Sequence, residues 1–168
     1  PISSIKSRVK SPSSIHEKLN RRGFPFTAQS IVDNLDDVAG IRVVCPFISD
    51  VYAVAQLITF QDDITVLKVK DYIKNPKGNG YRSYYMIVEV PVYFSDGMVP
   101  MRAEIQIRTI GMDFWASVAH QLHYKKDTIP GQDVSAIEQA LAFCAETVNE
   151  TDRRMESIKE LIGEFVDV

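Results

Sequence analysis

Met101-Arg102-Ala103-Glu104-Ile105-Gln106-Ile107-Arg108 is the stretch on which the fold turns. In an extended chain Met101, Ala103, Ile105 and Ile107 point one way, and Arg102, Glu104, Gln106 and Arg108 the other. Such a strand has one face against a core and one polar face, which in most antiparallel sheets is simply solvated. The run before it, about 83–93, also alternates and is joined to it by a turn around Asp96-Gly97. Ser83 and Tyr85 have the opposite parity to Tyr84, Met86, Val88 and Val90, so they belong with the polar face. The turn-rich loop 74–82, Lys-Asn-Pro-Lys-Gly-Asn-Gly-Tyr-Arg, presents Lys77, Asn79, Tyr81 and Arg82 beside it. Cations, an amide, an aromatic ring and a carboxylate then share one surface. That set suits a nucleotide: the ring stacks a base, the cations hold phosphates, and the carboxylate binds metal or orients a hydroxyl. Stacking on one aromatic ring is worth about 1–3 kcal/mol and is blind to which base it holds.

Outward from this pair, Val38-Ala39-Gly40-Ile41-Arg42-Val43-Val44-Cys45 is β-branched and bounded by Pro46, a buried strand. Residues 49–59 carry Val51, Val54, Ala55 and Ile58 at helical spacing, and 64–70 return to a strand. This order predicts an α+β fold with a mixed sheet of about five strands flanked by helices. Ser11-Pro12-Ser13-Ser14 starts a helix that Gly23 and Pro25 stop, and a short helix runs from Thr27 through Leu35. A further helix carries Met112, Trp115, Ala119 and Leu122. In the last helix Val134, Ile137, Leu141, Cys144, Val148, Thr151, Met155, Ile158, Ile162 and Phe165 keep strict 3–4 spacing. That seam is longer than the body requires. The expected organisation is a catalytic body over 1–130 and a helical oligomerisation element of the same domain over 131–168, its distal half running past the body onto another subunit.

With 168 residues, 45% hydrophobic and 24% charged, the chain supports one domain with a proper core. A net charge of −3 gives no global reason to expect DNA binding or attachment to a membrane surface. Local charge is uneven: residues 1–22 carry six bases against Glu17, and 68–85 carry five against Asp71. Two separated basic stretches in an acidic chain are raw material for an anion site. Cys45 and Cys144 both read as small buried hydrophobes, which favours a reducing cytoplasm over a disulfide. The sequence holds no run of membrane-spanning length and no signal peptide. It opens at Pro1 on a basic segment, which implies that something upstream was removed or left out. It also lacks a P-loop, a G-x-G-x-x-G fingerprint and a C-x-x-C pair, so any phosphate binding does without the common glycine cradle.

Five segments occur in the order found in RelA/SpoT synthetase domains: Ser7-Arg8-Val9-Lys10-Ser11-Pro12-Ser13-Ser14-Ile15, Asp37-Val38-Ala39-Gly40-Ile41-Arg42, Lys70-Asp71-Tyr72-Ile73, Pro76-Lys77-Gly78-Asn79-Gly80-Tyr81-Arg82-Ser83, and Glu104-Ile105-Gln106-Ile107-Arg108-Thr109. Met112-Asp113-Phe114-Trp115-Ala116, His120 and Tyr124-Lys125 resemble the single-domain, small alarmone synthetase branch. The resemblance covers about residues 7–125 and implies a nucleotidyltransferase-like synthetase fold. The implied reaction moves the β,γ-diphosphate of ATP to the 3′-hydroxyl of GDP or GTP, releasing AMP, with Mg2+ as cofactor.

By the same resemblance, Arg8 and Arg42 sandwich adenine, as planar guanidinium groups can and lysine cannot. Lys10, Ser14 and Lys18 match the group that holds the ATP phosphates, aided by the helix N-terminus near Ser13. Asp37 matches a Mg2+-binding aspartate. Simple alternation sets Asp37 and Arg42 on opposite faces, so Asp37 must precede the strand proper. Glu104 matches the second essential carboxylate, as metal ligand, general base or both. An ordinary glutamate, with a pKa of about 4.3, is a poor base for a ribose hydroxyl. Orienting that hydroxyl and accepting its proton late suits phosphoryl transfer better. Tyr81 matches the residue that stacks on guanine, with Lys77 and Asn79 in the same loop; Lys68 and Lys70 neutralise the transferring diphosphate. Arg82, Tyr85, Gln106, Arg108 and His120 complete the expected diphosphate and acceptor set.

The chain departs from the small-synthetase pattern at Tyr85, where histidine is usual, and at Ala119, where glutamate is usual. These changes bear on rate and acceptor choice. They motivate two alternatives: a non-catalytic regulator that binds nucleotides or RNA, and a synthetase with an adenine acceptor. The resemblance also implies a homotetramer and regulation by an alarmone or RNA. Hydrolysis is not expected of these residues, because the His-Asp metal domain of the long members has no counterpart among them. His16 and His123 have no metal-site spacing.

Overall fold

The two alternating runs pair as their pattern requires. Tyr84–Phe94 (β4) and Gly97–Thr109 (β5) form a long antiparallel hairpin, with Tyr85 opposite Gln106 and Ile87 opposite Glu104. The structure is a computed structural model that describes residues 1–126 and 134–166; the side chains of 123–126, 134 and 164–166 lie outside that description. Ala39–Cys45 (β2) runs parallel to β5, setting Gly40 opposite Glu104 and Arg42 opposite Gln106. Thr65–Asp71 (β3) is antiparallel to β4 and closes one edge. The other edge is Ser4–Val9 (β1), antiparallel to β2, so the five strands lie in the order β1-β2-β5-β4-β3. The sequence reading has no strand at β1. Every residue of β1 is exposed, so it shows no buried-face signature.

The helix starts follow local chemistry. Ser11 caps Pro12–Arg21 (α1) by accepting the Ser14 N–H at 3.3 Å, with proline in the first turn. Thr27 caps Ala28–Asn34 (α2) through the Ser30 N–H at 3.1 Å. Ile48–Thr59 (α3) lays Val51, Val54 and Ala55 on the apolar sheet face made by Val43, Cys45, Met86, Val88, Ile105 and Ile107. Ile110–Lys126 (α4) and Val134–Val166 (α5) meet around Trp115, Ala119, Leu141 and Ala145, and the Trp115 indole donates to the Leu141 carbonyl at 2.9 Å.

The long helix corrects two expectations. It does not leave the body by Met155. Thr109 donates to Asp152 at 2.5 Å, the Ser49 N–H donates to Glu156 at 2.9 Å, and Lys159 reaches Ser49 at 2.7 Å. Contacts with the body follow Leu141, Ala145, Val148, Asp152, Glu156 and Lys159, while the apolar seam branches onto the adjoining face. Cys144 lies on that branch and is exposed, not buried. Met155, Ile158 and Ile162 are 52%, 50% and 59% exposed. The seam side chains Val134 and Phe165 and the expected boundary after residue 130 lie outside the described residues. Among the described residues no helix is long and apolar enough to cross a membrane.

Glu156 does for α3 what its own N-cap residue cannot. Phe47 makes no side-chain cap, so a carboxylate from a distant helix takes the free N–H. Burial pushes the Glu156 carboxyl up, but the Ser49 hydrogen bonds and the Lys159 charge outweigh it and hold it below the ordinary value. A depressed carboxyl stabilises the fold above its unfolded pKa and loses that contribution as pH falls through the folded value. Glu156→Gln is therefore expected to cost about 1 kcal/mol near neutral pH, with the difference shrinking below about pH 4.5. Urea unfolding of both proteins across that range measures it.

Candidate active site

The polar face of β5 meets β2 and β1 in a cleft lined by Lys6, Ser7, Arg8, Gly40, Arg42 and Glu104. The Arg8 side chain crosses over Gly40, 3.7 Å from where a Cβ would stand, an ordinary contact distance. Asp37 precedes β2, as the alternation argument requires, and its Oδ2 accepts Lys10 at 2.7 Å and Lys18 at 2.6 Å. Burial pushes the Asp37 carboxyl up, and the two ammonium groups more than reverse that, leaving it below the usual range. Asp37 Oδ1 is buried and has no hydrogen-bond partner. With Ser14, these three residues line a small basin at the start of α1. A hard cation with oxygen ligands fits Asp37, whose second oxygen is free, and Mg2+ needs only one or two carboxylates beside phosphates and water.

Along β5 the polar residues are wired in a row. Arg108 donates to Gln106 at 2.5 Å, the Gln106 amide donates to Glu104, and the Tyr85 hydroxyl donates to the other Glu104 oxygen at 3.2 Å. Burial, then the Glu104 charge, pushes the Tyr85 phenol well above its ordinary value, so it stays a neutral donor. Asp36 and Asp37 add to that push, so their charges reach the same phenol.

The second cleft is lined by Lys77, Asn79, Tyr81, Gln106, Arg108 and His120, and it shares Arg8, Arg42 and Gln106 with the first. Tyr81 is flanked by cations, with Lys77 at 4.8 Å and Arg108 at 5.1 Å from its ring centre. The two basic stretches of the sequence thus meet: Arg8 and Lys77 line one cleft.

The family profile described as "Region found in RelA / SpoT proteins" matches residues 7–129. This chain belongs to the RelA/SpoT family. The GTP pyrophosphokinase YwaC of Bacillus subtilis (strain 168) is 44% identical over 161 residues, covering 95% of this chain and 75% of that protein. The GTP pyrophosphokinase YjbM of the same organism is 34% identical over 164 residues, covering 98% and 75%. Among solved structures, the small alarmone synthetase 1 from Bacillus subtilis bound to its product pppGpp superposes with a TM-score of 0.85 at 34% identity, covering 96% of this chain and 80% of that one.

Not every expected residue of this RelA/SpoT chain reaches the clefts. Arg82 turns away: its guanidinium donates to Glu146 at 2.7 Å and to the Ala145 carbonyl at 3.3 Å, so it holds α5 rather than an acceptor. The docking of α5 against the loop decides this, and no local pattern announces it. Lys68 and Lys70 are both exposed on β3 and line neither cleft: Lys68 stands opposite Ile87, and Lys70 opposite Tyr85 with its ammonium 5.8 Å from the Tyr72 ring. Ala119 is buried against Trp115 and Leu141 and lines the second cleft beside exposed His120.

Two residues escape the sequence reading. Asp113 takes both Arg42, at 3.4 Å, and Arg108, at 3.0 Å, on one carboxylate oxygen, so a single anion joins the clefts. Tyr72 stands edge-on to Tyr81 and Tyr85, with ring centres 5.9 and 6.4 Å away. Its place in Lys70-Asp71-Tyr72-Ile73 was the available signal; for Asp113 it was its place in Met112-Asp113-Phe114-Trp115-Ala116, in the first turn of α4.

Gly80 seats the loop 77–81 on α5. Its φ is +88°, and an added Cβ would meet the Ala145 Cβ at 2.5 Å. Gly80→Ala is expected to cost about 2 kcal/mol or more through strain and displacement of the loop. Thermal unfolding reads the stability loss, and weaker GDP binding in calorimetry reads the displaced loop.

Proposed function

We propose that this chain is a (p)ppGpp synthetase, transferring the β,γ-diphosphate of ATP to the 3′-hydroxyl of GDP or GTP. The observation that carries this reading is Glu104 lining one of two cationic clefts that share Arg8, Arg42 and Gln106. Arg8 and Arg42 hold the adenine, and Lys10, Ser14 and Lys18 take the ATP phosphates. Lys77, Asn79, Tyr81 and His120 hold the acceptor, Tyr81 by stacking, while Arg108 braces Tyr81 and Gln106. Lys70 meets the transferring diphosphate, with Lys68 further out on the same edge.

Glu104 orients the 3′-oxygen toward the β-phosphorus. The new O–P bond forms as the bond to the bridging oxygen breaks; AMP leaves with that electron pair, and the hydroxyl proton passes to Glu104 late. Asp37 and Glu104 would hold Mg2+, which would supply neutralisation of phosphate charge. Most of the rate comes from positioning and charge, as phosphoryl transfer requires. The substrates and the absence of a membrane-spanning helix among the described residues fit work in the cytoplasm.

The exposed stripe of Met155, Ile158 and Ile162 supports assembly through α5 into the homotetramer that the resemblance implies.

Incubation with labelled ATP, Mg2+ and GDP, GTP or ADP in turn is expected to yield a 3′-diphosphorylated guanine nucleotide. Product from ADP alone would move the acceptor to adenine, and no product from any acceptor would leave only a nucleotide-binding regulator. Glu104→Gln is expected to lower turnover by at least about a thousandfold while ATP binding changes less than about threefold. For assembly, Met155→Glu with Ile158→Lys is expected to reduce the mass seen by light scattering without unfolding the body.

A further inference from the structure

Glu104 is held from two sides. A carboxylate able to rotate freely would aim at the 3′-oxygen only part of the time. Here both oxygens are occupied by neutral donors, the Gln106 amide on Oε1 and the Tyr85 hydroxyl on Oε2. The row has a forced direction. Arg108 can only donate, so it draws the Gln106 carbonyl toward itself at 2.5 Å and leaves the amide nitrogen for Glu104. Glu104 can only accept, so the phenol is the donor.

Tyr85 reaches it from the neighbouring strand, where it pairs with Gln106, so the two clamps come from different backbones. The Tyr85 ring is half-buried with Tyr72 edge-on to it, 6.4 Å between centres, which limits its swing. A phenol carries one proton, and here that proton is donated to Glu104. A neutral donor also leaves the Glu104 charge in place, whereas an ammonium at this point would cancel it.

We infer that Tyr85 is a positioning residue for Glu104, fixing the carboxylate for the attacking hydroxyl rather than binding the acceptor nucleotide. This rests on the reading of Glu104 given under the proposed function, and it reassigns Tyr85 from the acceptor set to which the sequence resemblance gives it.

The test compares Tyr85→Phe, Tyr85→His, Glu104→Gln and the Tyr85→Phe/Glu104→Gln pair, with GDP and ATP affinities measured separately by calorimetry in the absence of turnover. Tyr85→Phe removes one oxygen, and an unchanged melting temperature verifies its fold. It is expected to lower kcat by about 10- to 100-fold, with the GDP and ATP dissociation constants within about twofold of the parent. Tyr85→His, which restores a ring N–H donor, is expected to recover most of that loss. In the Glu104→Gln background, Tyr85→Phe is expected to change the residual rate by less than about twofold. A GDP affinity that falls in step with kcat, an unchanged kcat, or independent losses in the double variant would each overturn the inference. Full turnover by Glu104→Gln alone would instead overturn the reading of Glu104 beneath it.

Discussion

In the middle of the sheet, β2 and β5 run parallel, with Gly40 opposite Glu104 and Arg42 opposite Gln106. A parallel ladder needs a long crossover, here α3, β3 and β4, so residues far apart in sequence share one wall. A slip of one residue would send Arg42 to the core and bring Val43, only 5% exposed, to the cleft. The buried faces of both strands forbid that slip. The register of an apolar core thus fixes the spacing of charged groups on the other side of the sheet.

Where the sequence was legible, the cause is the same buried face. β5 alternates over Met101 to Arg108, and β4 does so apart from buried Ile87, because one side packs on α3, so their approximate limits and the polar row Glu104, Gln106 and Arg108 could be read before any coordinates. The position of Asp37 outside β2 followed from parity alone. β1 was invisible because an edge strand exposed along its length has no apolar side to betray it. Arg82 was misplaced for a different reason: its loop neighbours Tyr81 and Asn79 face the cleft, and only α5 decides that Arg82 faces the other way. The joint contact of Asp113 with Arg42 and Arg108 depends on how α4 is set against the sheet, a tertiary quantity with no linear signature.

The last helix has two jobs that its single heptad pattern conflated. One face continues the body, from the Trp115 contact through the α3 cap, and it mixes apolar with charged residues. The adjoining face is apolar and open. A 3–4 repeat reports that a helix has an apolar stripe, but not whether one partner or two will cover it.

Asp37 has a consequence for how charge enters the cleft. Lys10 and Lys18 both rest on its Oδ2, so one carboxylate already offsets part of the charge of two ammonium groups. Phosphates that draw the two ammonium groups away strand a carboxylate in a half-buried setting, where an uncompensated charge is costly. A divalent ion on that carboxylate would cancel the deficit. Polyphosphate binding there would then be an exchange of counter-ions rather than an addition of them, and would favour a polyphosphate that arrives with its metal over either alone.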